Sequence, residues 1–503
     1  MPGFFVENFG CRATQADGAA LERQFEEQGL SRAPNPKLAS IIVLNTCTVT
    51  TGADQDARAA IRRVRRQNPE ARIVVTGCYA QRAPEEIAAL PGVDLVVGNS
   101  HKHQLAEISV RTSPDPGCPR AAGEAPAEVA LTSAPAFVPV EVLDGFGEGQ
   151  KPESGSPIFV SDIFAHTELL AAPVFDAANE RTRPNLKIQD GCDNRCSFCV
   201  IPYVRGQSRS LKADRIIREV NTLVAAGYRE VVISGINLGR WGKDLDLGPR
   251  TTDLSQTETM KVEEPRSEVQ SQRSVSRKTM LTGLIRAILA ETTLEKLRIS
   301  SVEPMDWSDE LIELVANSPR IAKHAHVPMQ SGNDAVLRRM HRKYRPWHYR
   351  EKIEKIRAAM PTAAIGADVM VGFPDETEAE FEATRDMIES LPFTYLHVFT
   401  YSPRPGTPAA EMKNQVPVHI ARERNRILRE LASEKKLAFM RSFIGKSVEA
   451  ITLNVVTSDR AGEFTEALTE NYLKLQLRGR HDANRWQTAS VQSVLNGSLV
   501  GAL

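Results

Sequence analysis

No segment of this chain is apolar over the roughly twenty residues that a membrane-crossing helix needs, and no secretory leader pattern is present. The expectation is a cytoplasmic, reducing setting with no membrane contact. A surplus of one charge is missing too: 63 Lys and Arg stand against 63 Asp and Glu. Net charge therefore says nothing about a polyanionic partner, and any nucleic-acid surface has to be local. Evenly paired cysteines are also lacking. The chain has seven, an odd number, and in a reducing compartment cysteine clusters mean metal or catalysis rather than disulfides. Cys118, in a Pro/Gly/Ala-rich stretch, has no assigned role.

What is present is a C-x3-C-x2-C triplet, Cys192-Asp-Asn-Arg-Cys196-Ser-Phe-Cys199, just after an apolar strand with Leu186 and Ile188. Three thiolates can hold three irons of a cubane 4Fe-4S cluster and leave the fourth iron open, whereas a fully ligated cluster takes four cysteines. The competing reading is a zinc knuckle. Structural zinc takes four ligands, and the nearest candidates, His166 and Tyr203, stand at no zinc spacing. The triplet resembles the signature of the radical S-adenosylmethionine (SAM) enzymes. That resemblance implies SAM chelated to the open iron and cleaved by an electron from the cluster, giving a 5′-deoxyadenosyl radical.

Three more cysteines share one context. Phe4 to Cys11, Ile41 to Cys47 and Ile73 to Cys78 each read as a buried strand ending in cysteine, with helical patterns following. Strands alternating with helices argue a parallel sheet, and ligands of such sheets gather beyond the carboxyl ends of the strands. Each cysteine alone reads as an inert buried residue. As three equivalent positions they read as a second cluster site with an open iron.

The length suggests three or four domains, and the pattern gives an α/β fold class. An N-terminal parallel α/β three-cysteine domain covers 1–102, closing with a fourth strand at Val93 to Gly98. A connector poor in periodicity covers 103–183, with a short strand near Pro157 to Ile163. Six strand patterns, Leu186–Gln189, Glu230–Ser234, Lys296–Ser300, His324–Pro328, Ala364–Val371 and Tyr395–Thr400, alternate with helices over 184–417 and argue a partial (β/α)6 barrel. Residues 246–278 interrupt it with a Ser/Thr/Gln/Glu/Lys-rich run, expected to be a disordered insertion. A linking helix covers 418–442, and short strands over 443–503 fit a small β-barrel.

Over nearly its whole length the chain resembles the methylthiotransferase branch of the radical SAM superfamily, whose C-terminal module is a TRAM-type β-barrel. Three families in that branch differ in substrate: two act on adenosines beside the tRNA anticodon, isopentenylated or threonylcarbamoylated, and one on an aspartate of a ribosomal protein. Asn45-Thr-Cys47-Thr-Val-Thr50 with Ala53-Asp54, Gly191-Cys192-Asp193-Asn194, and Glu466-Ala-Leu-Thr-Glu-Asn-Tyr472 are most similar to the threonylcarbamoyladenosine family. The resemblance implies two 4Fe-4S clusters. One, on Cys192, Cys196 and Cys199, binds and cleaves SAM; the other, on Cys11, Cys47 and Cys78, carries the sulfur that goes, once methylated, to C2 of the adenine. It implies as partners a tRNA anticodon stem-loop and an electron donor of flavodoxin or ferredoxin type. Thr14 stands where these families carry Asn. An iron–sulfur RNA-binding protein, or a cluster carrier, is the alternative outside enzymes.

Further candidates sit at strand ends, the functional face of a barrel. Ser234 and Gly235 are candidates for the SAM amino group, with a plain strand-end turn as the other reading. Ser301, Glu303, Gln330 and Asp368 follow or end later strands. Gly372-Phe373-Pro374 reads as a mainly structural turn, and His324 and His326 as core or rim histidines rather than metal ligands. For RNA, Arg342, Lys343, Tyr344 and Arg345 interleave cations with an aromatic, and the C-terminal barrel offers Lys474 and Arg478. The arginines at 58, 62, 63, 65 and 66 read as a solvated helix face.

Overall fold

A computed structural model describes residues 3–112, 156–166, 169, 183–245, 280–459 and 462–503. The expectations for Cys118, for most of the connector and for the insertion at 246–278 fall outside these residues. The chain divides into two compact units. One takes in the described residues of Met1–Val174 with Asp190–Gln207 and Ser402–Glu411; the other takes in those of Phe175–Gln189, Ser208–Tyr401 and Met412–Leu503.

In the first unit, uninterrupted apolar runs become the centre of a parallel sheet that is covered on both faces, as such runs require. The strand order is Ser31–Arg32, Gly3–Asn8, Ile41–Thr46, Arg72–Gly77, Leu95–Gly98 and Ile158–Phe159. Alternation sends Val43, Val74, Leu95 and Val97 to one face, against Leu21 and Phe25 of the helix Arg12–Glu27. Ile42, Leu44, Ile73 and Val75 go to the other, against Ile61 and Val64 of the helix Thr51–Gln67. Each such fully buried aliphatic chain is worth about 1.5–3 kcal/mol. The helix Leu105–Arg111 adds Leu105, Ile108 and Val110 to the first face. The connector expected from residue 103 thus starts later; a seven-residue helix is too short for its period to show.

In the second unit the six expected strands appear with nearly the expected bounds: Asn185–Asp190, Glu230–Gly235, Lys296–Ile299, His324–His326, Ala364–Val371 and Tyr395–Thr400. Pairing is parallel within the first three and within the last three. Parallel bridges Leu297↔Ile321 and Ser301↔His326 join the two sets. Helices Ala213–Ala225, Met280–Glu291, Asp309–Asn317, Pro346–Ala359 and Glu378–Ser390 intervene. On and just after His324–His326, Ala325 and Val327 are buried, as are Ile365, Ala367, Val369 and Val371 of Ala364–Val371. Tyr349 of the helix Pro346–Ala359 donates its hydroxyl to the Val327 carbonyl at 2.6 Å, so this apolar side is the helix-covered, outer one.

After the helix Val418–Arg441 comes a closed five-stranded barrel in the order Ser447–Asp459, Gly462–Thr469, Lys474–Arg478, Ser498–Ala502, Trp486–Leu495. Its pairings are antiparallel except that between Lys474–Arg478 and Ser498–Ala502. The turn after Thr469 reaches the partial barrel. Arg298 donates to the Glu470 carbonyl at 3.0 Å and Lys296 pairs with the Glu470 carboxylate at 3.3 Å. Tyr472, at φ +68°, lies with its ring 5.3 Å from the Arg298 guanidinium, 5.2 Å from the His324 ring and 6.4 Å from that of Tyr395. His324 and Tyr395 open their strands, so this cluster closes the amino-terminal end of the barrel's inner face.

Candidate functional site

Cys11, Cys47 and Cys78 follow three adjacent strands in register, with Asn8 opposite Asn45 and Asn45 opposite Thr76. Cys47 comes directly after its strand, Cys78 opens a short helix, and Cys11 caps the helix Arg12–Glu27. Two glycines make the approach possible. Gly10 has φ +102°, and a Cβ there would stand 2.7 Å from that of Cys47 and 3.0 Å from its Sγ. Gly77 has φ +101°, and a Cβ would meet the Thr46 carbonyl at 2.3 Å. Only glycine adopts such backbone at little cost and leaves that space.

Cys47 and Cys78 are buried and Cys11 is exposed. Burial first, then the neighbouring Cys78 and, more weakly, Cys11, pushes the Cys47 thiol from 9.0 up to about 12. A buried thiol disfavoured as the free thiolate and set beside two further cysteines suits an iron–sulfur ligand set, where bound iron offsets the sulfur charge. The amide of Asn99 donates to Cys78 Sγ at 3.7 Å, and the Thr14 hydroxyl lies 3.6 Å from Cys11 Sγ.

The triplet Cys192, Cys196 and Cys199 belongs to the same compact unit, and all three side chains are half-buried. The Asn194 N–H donates to Cys192 Sγ at 3.4 Å, and the Cys199 N–H donates to the Cys196 carbonyl at 3.1 Å. Gly191, at φ +69°, has no room for a Cβ, which would fall 1.9 Å from the Gln207 carbonyl. A tight loop with an N–H aimed at sulfur suits a cluster ligand.

A buried chain of charges links the two sets. Asp190, the last residue of its strand, accepts from Arg205 at 3.0 Å through both oxygens. Arg205 also donates to Asp17 at 3.0 Å; Lys102 donates to Asp17 at 3.1 Å and to Asn45 at 3.2 Å. Asn45 in turn donates to Asn8 and to the Thr14 carbonyl. Burial opposes the charge of Arg205, but Asp190, Cys78, Asp17 and Cys11 outweigh it, and its pKa is raised. Val200 and Val204 pack on Cys78, and Asn99 donates to the Val204 carbonyl at 2.7 Å. A second hub is Asp54, which accepts from Thr48, Arg82 and Arg404 at 2.6, 3.0 and 2.8 Å. Sequence reasoning missed Arg205, Asp17, Lys102, Asn99 and Arg404. Nothing local distinguishes them, because each meets its partner across the fold.

In the partial barrel, Ser234 Oγ is buried with no hydrogen-bond partner among the described residues, as is Ser300 Oγ. Orphaned hydroxyls at strand ends suit a polar ligand. Gly235 packs against Gln189, where a Cβ would come within 2.8 Å of Oε1. Ser301 bridges to His326, and Gln330, at φ +61°, donates its N–H to the Asp368 carbonyl at 2.8 Å. The Asp368 carboxylate lies 3.3 Å from His326 Nε2. These candidates share one barrel end. Glu303 is ion-paired to Arg342; burial raises its pKa and Arg342 opposes the rise.

That pairing corrects the RNA expectation for Arg342 and Tyr344. Both are buried, and the Tyr344 hydroxyl donates to the carbonyls of Pro328 and Met329. A ring only 1 % exposed offers no face to a base. Arg345 is half-buried and paired with Asp334 at 3.3 Å. Lys343, Lys474 and Arg478 are exposed. On the arginine-rich helix, Arg58 pairs with Glu86, Arg63 with Glu7, and Arg65 with Asp94 and three backbone carbonyls.

A parallel (β/α) barrel of six strands whose first strand runs into C-x3-C-x2-C defines the radical SAM class, and the radical SAM superfamily description matches residues 186–388. The description "Uncharacterized protein family UPF0004" matches residues 3–98, the three-cysteine sheet. The chain is 34% identical over 474 residues to the threonylcarbamoyladenosine tRNA methylthiotransferase MtaB of Bacillus subtilis, covering 94% of this chain and 90% of that protein. With MtaB of Aquifex aeolicus the figures are 33%, 95% and 97%. It is 31% identical to the tRNA-2-methylthio-N(6)-dimethylallyladenosine synthase of Novosphingobium aromaticivorans, covering 89% of this chain and 86% of that one. The chain belongs to the radical SAM methylthiotransferase family. Among solved structures, the radical SAM methyltransferase TsrM of Kitasatospora setae aligns with TM-score 0.51 at 13% identity, over 82% of this chain and 77% of that one, a likeness of fold alone.

Proposed function

We propose that this protein adds a methylthio group to C2 of N6-threonylcarbamoyladenosine beside the anticodon of tRNA. The observation that carries this reading is the pair of three-cysteine sets within one compact unit, linked through Asp190, Arg205, Asp17 and Lys102. Cys192, Cys196 and Cys199 would hold one 4Fe-4S cluster with an open iron for SAM, and Cys11, Cys47 and Cys78 the second. When bound, these groups supply the electron that splits SAM and the sulfur for transfer, chemistry that side chains lack at an unactivated C–H.

The chain's own residues bind and orient. Arg205 places a fixed, buried positive charge near Cys78 and Cys11, opposite in sign to the thiolates that a cluster would bring there. Gly10 and Gly77 let the loops close, and Asn194 directs an N–H at the Cys192 sulfur. Ser234 offers a buried, unpaired hydroxyl at the end of its strand, suited to a polar ligand group. The C-terminal barrel, read as a TRAM-type module, turns Lys474 and Arg478 outward toward RNA phosphates. A flavodoxin- or ferredoxin-type donor in the cytoplasm completes the scheme. Nucleoside mass spectrometry of bulk tRNA tests it, using a strain without tRNA methylthiotransferases, with and without this chain. The expected result is 2-methylthio-N6-threonylcarbamoyladenosine with isopentenyladenosine unchanged; the reverse pattern, or no change with both clusters present, overturns the proposal.

A further inference from the structure

The inner face of the barrel ends in a polar floor that no step above uses. Strand register puts His326 beside Gly366, Asp368 beside His397, and Met370 beside Phe399. A Cβ on Gly366 would strike the Tyr395 ring at 1.9 Å, so the Tyr395 side chain shares this face. Residues two apart on a strand point the same way, which adds His397 and Phe399. This is the side opposite the helix-covered residues. Below, Tyr472, His324 and Tyr395 close the amino-terminal end. The His326 ring stacks at 6.0 Å on Tyr395 and lies 5.6 Å from the His397 ring. One side-chain atom from each of His326, Asp368 and His397 lies within 4.8 Å of the others. Above them Phe399 is 49% exposed and Met370 half-buried, an apolar wall over a polar base.

We propose that His326, Asp368 and His397 recognise the N6 substituent of the substrate adenosine, taking a polar, carboxylate-bearing group and rejecting a prenyl chain. The assignment rests on the threonylcarbamoyladenosine reading above and names the residues that would enforce it. The threonylcarbamoyl group carries urea N–H donors, a hydroxyl and a carboxylate. The floor answers with imidazole N–H donors from two histidines and a carboxylate acceptor from Asp368. His326 Nε2 is buried 3.3 Å from the Asp368 carboxylate and makes no well-aligned hydrogen bond among the described residues, so this pair is the polar centre of the floor. An isopentenyl group offers neither donor nor acceptor. Seating it here would strip water from a carboxylate and two imidazoles and return nothing, a larger penalty than any apolar contact with Phe399 recovers. A site built for hydrogen bonds rejects the analogue that lacks them far more strongly than an apolar pocket rejects an extra polar atom.

The test measures dissociation constants of the cluster-loaded protein for three anticodon stem-loops, alike except for threonylcarbamoyladenosine, isopentenyladenosine or plain adenosine at the target position. Wild type is expected to prefer the threonylcarbamoyl stem-loop. His397→Leu is expected to reduce its preference over plain adenosine by about tenfold or more. His397→Gln, which keeps an N–H donor, is expected to retain part of it, and thermal melting checks that both variants are folded. A preserved preference in both folded variants overturns the assignment while leaving the proposed function standing. Wild-type preference for the isopentenyl stem-loop overturns that function and the assignment together. Preference lost to a chelator and restored by zinc would transfer the three side chains to a metal ion and overturn direct recognition.

Discussion

The two cysteine sets solve one problem in opposite ways. Cys192, Cys196 and Cys199 fall within eight consecutive residues, and their loop is shaped by one glycine and by hydrogen bonds inside the segment. Cys11, Cys47 and Cys78 span 68 residues (11 to 78 inclusive) and meet only because three strands stand in register. The first is a local geometry; the second is a property of the sheet. Damage to packing should therefore reach the second set first, and damage to the link between them should reach both.

The largest effect is expected from the ligands themselves. Cys196→Ala and Cys47→Ala should each remove about half the iron of the loaded protein. Methylthiolation should stop in both, but reductive SAM cleavage should disappear only in the first. Iron analysis and 5′-deoxyadenosine chromatography check this, and equal loss of cleavage in both would erase the distinction. Next comes the link: Arg205→Met leaves Asp190 buried without its partner and should cost about 3–5 kcal/mol in denaturant unfolding. Gly10→Ala forces a side chain into left-handed backbone against Cys47. It should cost about 1–3 kcal/mol and lower iron at the sheet-borne set, leaving the triplet's spectral signature.

The effect smallest near neutral pH is one that only alkaline pH brings out. The Cys47 thiol is raised in the folded chain, so the unfolded chain gives up its proton first. In cluster-free protein this stability is fully present below the ordinary value of 9.0 and is lost as pH rises toward about 12. The slope for one such group is about 1.4 kcal/mol per pH unit at most. Unfolding free energies at a series of alkaline pH values, for wild type and Cys47→Ser, check the sign.

How much could be read from the chain follows the same division. The barrel strands were legible because their periodicity is local: Ala364–Val371 and Tyr395–Thr400 stand where the pattern puts them. Four of the six strands of the N-terminal sheet were legible for the same reason. Gly462–Thr469 and Ser498–Ala502 were not: the first mixes Glu and Thr among its apolar residues, and the second is only five residues long. Arg205 donates to Asp17 across 188 positions, a distance at which no motif works. Arg342 and Tyr344 show the converse error. Cations beside an aromatic look like an RNA surface, but pattern carries no burial, and the carboxylate that takes up Arg342 is Glu303, 39 positions away.

The turn that carries Tyr472 has a practical consequence for anyone exchanging parts between relatives. Its ring and the neighbouring Glu470 contact Arg298, Lys296 and His324, so the C-terminal barrel is keyed into the catalytic one. A chimera cut cleanly at the linking helix would swap the key without its lock. Grafts that keep the recipient's own Thr469–Tyr472 turn together with its own barrel base are the ones that should assemble.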